Sequence, residues 1–300
     1  MRSSFGLAVG LLLLVFTLPT SFDTAQAAGY VRPYGDNAPW NVPVANVARH
    51  PNSDELVSKL WNAPGGLQKT NVNYNNYTYP VYYYDDATGV YPIRWRNNWR
   101  QNIDEIPWNP AWEEIGGTDA QVIILDPATG REWNMWQVEY QNGTVVASNG
   151  NLVQEGIRPG DGSNPGNYFT KENGFGPSRG VGIQYFAMLV MPEEVEQGII
   201  EHALSMPIVN PSGCEFYPPA TKIEHPSFPC DVPEGARFAL DVTEQEIVNY
   251  VESLPISEPQ KRFGKIFLRA MRDYGWFVTD TTGQNHLQLE AWETAGDDWT

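Results

Sequence analysis

Short apolar or aromatic runs separated by turn residues dominate the middle of the chain. Residues 81–93, 122–136 and 137–146 each hold two such runs, joined by an Asp-rich turn ending in Thr-Gly or by Asn-Gly. Glycine adopts the positive φ that tight turns need, and aspartate bonds the backbone of its own turn. The pattern predicts three β-hairpins, and a fourth over residues 276–292 around a Thr-Thr-Gly turn.

The clearest helical pattern lies near the end of the chain. Ser257 with Gln260 fits the capping box of a helix N-terminus, and Gly275 suits a C-terminal stop. These signals predict a helix over residues 257–274. Its apolar stripe, which we predict to be core, consists of Phe263, Ile266, Phe267, Ala270, Met271 and Tyr274.

Three other segments carry helical signals. Thr243 with Glu246 fits a second capping box, and residues 53–61 show a short helical pattern. Residues 192–208 fit both the helical periodicity and the alternation of a strand. We favour a helical turn that ends at Gly198, followed by a strand. Hairpin signals therefore outnumber helix signals.

These elements predict a mainly β fold, an antiparallel β-sandwich of jelly-roll type with one or two peripheral helices. No linker divides the chain, so we predict a single domain over residues 28–300, in which residues 28–76 form an irregular wrapping segment rich in Pro and Asn. Residues 156–180 are crowded with Gly, Pro and Asn and predict a long loop. Such loops often cover a cleft.

Residues 1–27 are typical of a cleavable secretory signal. Arg2 supplies the positive end, residues 7–18 the apolar stretch, and Ala27 the small residue at the cleavage site. A membrane anchor is the alternative, but the stretch is shorter than the ~20 residues that a spanning helix needs, and Pro19 follows it. We expect a secreted protein, extracellular or periplasmic, with no membrane partner after cleavage.

The formal net charge of -17 at pH 7 restricts the partners of the protein. Nucleic-acid affinity depends on cationic groups that displace counterions, so we expect no nucleic-acid partner. A long polyanionic substrate is also disfavoured unless the few cations gather on one face. Those cations include Arg94, Arg96, Arg100, Arg179 and Arg237.

Cys214 and Cys230 are the two cysteines of the chain. In an exported protein this spacing predicts a disulfide between them, because the compartment is oxidising. A metal site is the weaker interpretation, since two cysteines with only His225 nearby form an incomplete ligand set. The sequence identifies no cofactor.

Five motifs occur in a fixed order along the chain. They are LDPATGREW at 125–133, EVEQGIIEHAL at 194–204, YPPAT at 217–221, PEGAR at 233–237, and residues 268–280 with Tyr-Gly followed by a terminal Asp. In this order they resemble a family of secreted bacterial proteins, some of which are joined to carbohydrate-binding modules. The resemblance extends from about residue 39 to the C-terminus.

The resemblance implies a β-sandwich with a link to carbohydrate, but it implies no settled activity. The chain departs from the family pattern at Asn134, where a glutamate is expected, and at Tyr217, where a tryptophan is expected. If that glutamate is catalytic in the family, this chain is inactive or uses another group.

Aromatic residues are dense between residues 74 and 136. Flat rings bury the apolar faces of sugars while their polar edges stay wet, so the cluster points to glycan binding. The alternative is that most of the rings fill the core of the sandwich. The candidate substrate-binding residues are Trp95, Trp99, Trp133 and Trp136.

Hydrolysis of a glycan needs two carboxyl groups across a cleft. Glu132, Glu139 and Asp280 are candidates because they lie in or beside predicted strands. Asp126 is the weakest candidate, because its turn position already explains it. Each of these acids also has a simpler explanation as a turn cap or a solvated residue.

Lyase chemistry instead needs a base such as His or Tyr, and a cation that neutralises the acid group of the substrate. His202, Arg237 and Tyr274 supply such groups. His202 also fits a buried core histidine, yet it lies in the most specific of the motifs. We predict that it lies near a cleft bordered by residues 156–180.

The leading hypothesis is a secreted protein that binds an extracellular polysaccharide, with cleavage by hydrolysis or elimination left open. The alternative is a non-catalytic surface or matrix protein whose aromatic residues pack or adhere. Tryptophans gathered in one groove beside a carboxylate pair favour the enzyme, and rings dispersed through the core favour the structural protein.

Overall fold

The structure is a computed structural model that describes residues 32–63, 67, 70–97, 103–153 and 179–299. The predicted signal peptide, Trp99 and residues 156–178 of the predicted long loop lie outside the described residues. In the described part of the chain, no helix has the length and apolarity needed to cross a membrane.

The predicted helices are confirmed. Both capping boxes form, at the starts of helices Glu244–Ser253 and Glu258–Asp273, and Gly198 ends helix Pro192–Gln197 at a φ of 85°. The α-helices of the described residues are α1 (Ser53–Asn62), α2 (Pro192–Gln197), α3 (Glu244–Ser253), α4 (Glu258–Asp273) and α5 (Trp292–Ala295).

The described residues form 13 strands in four sheets, so the fold is β-rich as predicted. The sheets are β1-β13, β10-β12-β11, β2-β5-β6-β9 and β4-β3-β8-β7. The strands are β1 (Asn71–Asn73), β2 (Val81–Tyr83), β3 (Gly89–Trp95), β4 (Glu105–Trp108), β5 (Val122–Asp126), β6 (Arg131–Trp136), β7 (Glu139–Gln141), β8 (Thr144–Ala147), β9 (Asn149–Val153), β10 (Leu204–Ile208), β11 (Arg237–Phe238), β12 (Trp276–Thr281) and β13 (His286–Gln288).

The sheets are mixed rather than purely antiparallel. β1 and β13 pair in parallel, and so do β10 and β12, β2 and β5, and β3 and β8. Parallel partners cannot be joined by a tight turn, so these pairings connect segments that are distant in sequence. The strand content is therefore compatible with the predicted mainly β fold class, while the strand directions are more varied than predicted.

Two of the four predicted hairpins form. β5 and β6 turn through the Asp126 segment, and β7 and β8 turn at Asn142 and Gly143, which have φ values of 49° and 82°. The hairpins at 81–93 and 276–292 are wrong, because their strands pair elsewhere: β2 with β5, β3 with β4 and β8, and β13 with β1.

Three apolar clusters hold the elements together. One contains residues from both four-stranded sheets, among them Ile106 of β4, Ile124 of β5 and Val145 of β8. A second packs Ile266 and Phe267 of α4 against β10, β12 and β13. The predicted stripe of α4 is therefore core. The third joins the segments around residues 34–40 and 181–191.

The predicted disulfide is confirmed. Cys214 and Cys230 are bonded, with 5.1 Å between their Cα atoms, and neither is free. The bridge closes an irregular excursion of the chain that extends from residue 211 to residue 235. This excursion carries Glu224 and Glu234, which are important for the site described below.

Candidate functional site

The parallel pair β1–β13 forms one wall of a pocket. Asn71 pairs with His286 and Asn73 with Gln288, and all four residues line the pocket. Side chains alternate across a strand, so Leu287 between the two β13 residues points the other way, into the apolar core. The period of two in this segment thus separates a polar face from a core face.

An irregularity in β12 places an acid at the pocket. Val278 pairs with Met206 of β10, but Thr281 pairs with Ile208, so β12 accommodates one extra residue here. Such a bulge redirects the side chains next to it. In a regular strand Asp280 would share the core face of Val278, whereas here Asp280 lines the pocket.

The pocket has a volume of about 640 Å³ and a strongly polar lining. This volume lies within the usual range for small-molecule sites, but such sites are mostly apolar, and this one is not. It is lined by two carboxyl groups (Asp119, Asp280), by Tyr77, Tyr79 and His286, and by seven amides: Asn71, Asn73, Asn75, Asn76, Gln121, Gln284 and Gln288.

Gln288 forms part of the pocket floor and has a fixed orientation. Its Oε1 accepts hydrogen bonds from Arg179 Nη1 and from Ser205 Oγ at 2.6 Å, while its Nε2 donates to the Tyr77 carbonyl at 3.1 Å. Nη1 of Arg179 also donates to the Tyr79 hydroxyl at 3.0 Å. Arg179 therefore lies directly beneath the pocket and orients two of its residues.

Two carboxyl groups meet at one end of the pocket. The Thr281 amide N–H donates to Asp280 Oδ1 at 3.0 Å and to Glu224 Oε2 at 3.1 Å. The two carboxyls therefore lie side by side at this amide. Burial, followed by the charge and the hydrogen bond of Glu224, holds the pKa of Asp280 well above its usual value. Asp280 is therefore protonated far more readily than an ordinary aspartic acid.

A third acid supports this pair from behind. The Glu224 amide N–H donates to Glu234 Oε2 at 3.0 Å, and Glu234 is fully buried. Burial raises the pKa of Glu234 to about 7. Gly180 admits the Glu224 carboxyl, because a Cβ at this position would lie 2.3 Å from its carboxyl carbon. The position of Glu224 is thus fixed on three sides.

Asp119 is the other pocket acid. Trp136 Nε1 donates to Asp119 Oδ1 at 3.3 Å. Burial raises the pKa of Asp119, and the Glu224 charge acts in the same direction, while the Trp136 bond and His286 oppose the shift. The pKa of His286 is lowered by burial, although the Gln284 and Tyr77 carbonyls oppose this.

Two polar side-chain atoms in the pocket lining have no partner among the described residues. They are Gln121 Oε1 and Thr281 Oγ1. Gln121 is only 7% exposed, so its carbonyl oxygen has lost water without gaining a protein donor. An unmade hydrogen bond of this kind costs roughly 1–3 kcal/mol. A ligand that donates a hydrogen bond at this position would recover that energy.

Glu132, a predicted catalytic acid, lies in the core and not in the pocket. It is fully buried, and its carboxylate accepts hydrogen bonds from Tyr34 Oη at 2.7 Å, Asn134 Nδ2 at 2.7 Å and the Phe186 amide at 2.9 Å. Burial raises its pKa although these donors oppose the shift. Asn134, where the family pattern has glutamate, also accepts from the Tyr185 amide at 2.7 Å.

The reason for this burial is the segment at residues 181–191, all of which are buried and most of which are irregular. Apart from the bridge of Val190 to Leu289, the segment has no strand partner, so side chains must bond much of its buried backbone. Glu132 and Asn134 accept from its amides, while Arg179 donates to the carbonyls of Gln184, Tyr185 and Ala187 at 3.0, 2.8 and 3.1 Å. Both charged residues therefore stabilise the fold here.

His202 is buried and fully bonded. Its Nε2 lies 3.0 Å from Glu194 Oε1, and its Nδ1 lies 2.8 Å from the Ala203 carbonyl. Burial disfavours the charged ring, but the charge and hydrogen bond of Glu194 outweigh it, so the pKa of His202 is raised. His202 does not line the pocket, and residues 156–178 of the predicted neighbouring loop lie outside the described residues.

Arg237 and Tyr274 lie close together, because the Arg237 side chain bonds the backbone carbonyl of Tyr274. The Arg237 guanidinium donates to the carbonyls of Tyr274, Pro39 and Val42, and burial lowers its pKa to about 10. These bonds attach the N-terminal segment to the sheet. Neither residue lines the pocket, so the proposed lyase groups are not assembled there.

The two remaining acids have local explanations. Glu139 is exposed and pairs with Arg96 at 2.9 Å, and its pKa is lowered by hydrogen bonds from Gln141 and Arg96. Asp126 accepts from the Thr129 amide at 3.1 Å, as its turn position predicts. Of the acids predicted from the sequence, only Asp280 lines the pocket.

The described tryptophans that were predicted to bind substrate are largely packed inside the protein. Trp133 is 5% exposed, and Trp95 packs against the same cluster, beneath Gly150. Trp136 is half-buried, and its Nε1 donates to Asp119 of the pocket lining. Trp108 is also core, and Trp40 and Trp276 belong to two other clusters. The rings are thus dispersed.

Sequence reasoning missed most of the pocket residues. The density of amides at residues 71–76 was the available signal, but this segment was interpreted as irregular wrapping. Asp119, Gln121 and Glu224 carried no motif. Among the described residues, no group of three or more His, Cys, Asp or Glu is arranged to hold a metal ion.

Comparisons with known protein families, curated proteins and solved structures find no match to this chain. The resemblance to a secreted bacterial family therefore stays a prediction. The pocket itself is therefore the basis for the proposed function.

Proposed function

We propose that the protein is exported and binds a neutral extracellular polysaccharide in the amide-lined pocket. The observation that carries the proposal is the lining, in which seven amides surround a cavity of about 640 Å³ together with two carboxyls and two tyrosines. Amide groups both donate and accept hydrogen bonds, and so do the hydroxyl groups of a sugar. A polyhydroxylated ligand matches this surface better than an apolar one.

The charge of the pocket and of the chain favours neutral saccharides over anionic ones. In the described part of the chain the pocket lining contains Asp119 and Asp280 but no Lys or Arg, and the whole chain carries a net charge of -17. An anionic sugar would meet like charge at the pocket and in the surrounding field. A neutral sugar would avoid this cost and would supply the donors that Gln121 Oε1 and Thr281 Oγ1 lack.

Export is supported by two independent features. Residues 1–27 have the three parts of a secretory signal, and the bonded cysteines Cys214 and Cys230 are typical of oxidising compartments. A secreted protein meets polysaccharides at the cell surface or in the medium.

We further infer that the two four-stranded sheets form a β-sandwich that supports the pocket loops. Their shared apolar cluster supports this arrangement, because Trp108 of β4 and Met135 of β6 belong to it together. The sandwich carries Asp119 and Gln121 on the connection between β4 and β5.

A binding panel tests the proposal. The purified exported protein is measured by affinity electrophoresis in gels that contain neutral polysaccharides, such as xylan, glucomannan and mixed-linkage glucan, or acidic ones, such as alginate and polygalacturonate. We expect retardation by at least one neutral polymer and none by the acidic polymers.

Two pocket variants and one control assign the binding to this site. Asn73→Ala and Gln121→Ala each remove one amide, and we expect each to weaken binding about tenfold, since one ligand hydrogen bond contributes about 1 kcal/mol or more. Asn249→Ala removes an exposed amide on α3 and should leave binding unchanged. No retardation by any neutral polymer, or equal retardation of all three variants, would contradict the proposal.

The second candidate is a non-catalytic surface protein that adheres through exposed aromatic residues. Dispersal of the buried tryptophans favours it, and so does the exposure of Tyr77, Tyr83, Tyr84 and Trp292 at 39–45%. The double variant Tyr83→Ala/Tyr84→Ala separates the two candidates. Loss of adhesion in this variant with intact Asn73 and Gln121 would favour the second candidate.

A further inference from the structure

Asp280 and Glu224 form a proton-sharing pair at the edge of the pocket. They come from different parts of the chain, the bulge of β12 and the disulfide-closed excursion, yet they accept from the same Thr281 amide at 3.0 and 3.1 Å. Two carboxyls this close repel each other when both are ionised, which favours a proton on one of them. The pair therefore keeps an acidic proton at a position where a bound ligand is accessible.

This pair does not flank a glycosidic bond by itself. Acid and base carboxyls of glycoside hydrolases are about 5 Å or more apart, because the substrate lies between them. Carboxyls that meet at one amide N–H leave no such space. A second carboxyl must come from elsewhere in the lining, and Asp119 is the other acid of the described lining.

An independent observation points to a ligand position beside these acids. Gln121, two residues beyond Asp119, is 93% buried, and its Oε1 has no partner among the described residues. It lines the same pocket. A sugar hydroxyl that donates to this oxygen would bring the ligand close to Asp119.

We propose that the pocket hydrolyses a glycosidic bond, with Asp280 as the acid, Asp119 as the base and Glu224 as a positioning residue. This inference rests on the proposed binding of a neutral polysaccharide. Asp280 transfers its proton to the glycosidic oxygen as the bond from that oxygen to the anomeric carbon breaks. A water molecule forms the new bond to the anomeric carbon and gives one proton to Asp119. Solvent then returns a proton from Asp119 to Asp280, so the net reaction consumes one water.

The surroundings favour hydrolysis over elimination. Elimination requires a cation that neutralises a uronate, and no Lys or Arg among the described residues lines the pocket. Arg179 lies beneath the floor with its guanidinium bonded to Gln288 and Tyr79. The raised pKa of Asp280 suits an acid that must keep its proton near neutral pH.

The experiment measures binding and cleavage on the same probes. Neutral hexasaccharides of glucose, xylose and mannose are incubated with the exported protein. Affinity is measured by calorimetry, and new reducing ends are measured over time. We expect the wild-type protein to release reducing ends. Asp280→Asn and Asp119→Asn should each lower the rate about 100-fold or more, with a Kd within about threefold of wild type.

The matched control is Asp241→Asn, an exposed aspartate, which should leave both rate and affinity unchanged. Asp280→Asn should fold normally, because asparagine resembles the protonated acid that the site already favours. Near-ultraviolet circular dichroism of each variant checks this. Glu224→Gln provides a second test through the pH profile.

In Glu224→Gln the like charge beside Asp280 is removed, so Asp280 should lose its proton at a lower pH. The alkaline limb of the rate profile should then move to lower pH. Several titratable and charged groups influence this limb. They are Glu224 and Glu234 of the excursion with His225 beside Glu224, Arg179 and Tyr185 beneath the floor, and Tyr79, Asp119 and His286 in the lining.

The two proposals fail in different ways. Binding of a hexasaccharide without release of reducing ends overturns hydrolysis and leaves binding intact. A wild-type rate in Asp280→Asn, or an unmoved alkaline limb in Glu224→Gln, overturns the assigned roles. Absence of binding to every hexasaccharide and polymer overturns both proposals.

Discussion

Replacement of Arg179 by lysine is expected to destabilise the protein by about 3–5 kcal/mol. The guanidinium is 1% exposed and donates to three backbone carbonyls and to the side chains of Tyr79, Ser205 and Gln288. A lysine ammonium presents three donors from one atom and cannot reach acceptors on several sides. The remaining acceptors would be buried without a hydrogen bond, which is the costly outcome.

Urea unfolding of the purified variant measures this effect. Arg49→Lys serves as the control, because the Arg49 side chain is 70% exposed and pairs with Asp54 at the surface. That change should shift stability by no more than about 0.5 kcal/mol. Equal unfolding midpoints for the Arg179→Lys and Arg49→Lys proteins would show that the segment at 181–191 does not depend on the Arg179 bonds.

Removal of the His202 ring is expected to cost a similar amount of stability, about 3–5 kcal/mol, because it leaves the buried carboxylate of Glu194 without its partner. His202 does not line the pocket. His202→Ala should therefore lower the thermal midpoint, while saccharide binding per folded molecule stays at the wild-type level. His50→Ala, at an exposed position, is the control and should change little.

The cost of removing His202 should depend on pH. Glu194 raises the pKa of His202 in the folded state above the usual 6.5, against the effect of burial. Stabilisation by the charged ring is therefore complete below pH 6.5 and is lost as the pH rises through the folded pKa. The difference in midpoint between wild type and His202→Gln should be larger at pH 6 than at pH 9. A difference that is constant with pH, or weaker binding by well-folded His202→Gln, would contradict this role.

Local signals in the sequence predicted local structure correctly. The capping box at Ser257 and the glycine at Gly198 set helix ends, and the Asn142-Gly143 turn closes a hairpin. In each case the residues that determine the conformation are neighbours in the chain. The disulfide belongs to the same class, since its two cysteines are 16 residues apart.

Long-range pairing was not predictable in the same way. Residues 81–83 and 286–288 read as halves of hairpins, yet they pair in parallel with β5 and β1. A run of three apolar or alternating residues does not specify which distant strand it will join. The mixed sheets follow from these distant partners, and so does the pocket wall made by β1 and β13.

Of the residues that line the pocket, the sequence analysis named one, Asp280, as a candidate site residue. Asp280 was found because it lies in a predicted strand, but a bulge that the sequence does not reveal is what directs it into the pocket. Glu132 met the same criterion and is buried, because residues 181–191 need its oxygen atoms as acceptors. The identity of an acid on a strand does not tell which face it occupies or what backbone it must satisfy.

The most direct test of the central claim is a crystal structure of the protein with a bound neutral hexasaccharide. The account predicts a sugar ring in the cavity, with hydroxyl groups about 2.7–3.2 Å from Gln121 Oε1 and from the Asn73 amide, and a glycosidic oxygen facing Asp280. A sugar bound only against exposed rings such as Tyr83 and Tyr84, with water alone in the cavity, would contradict it.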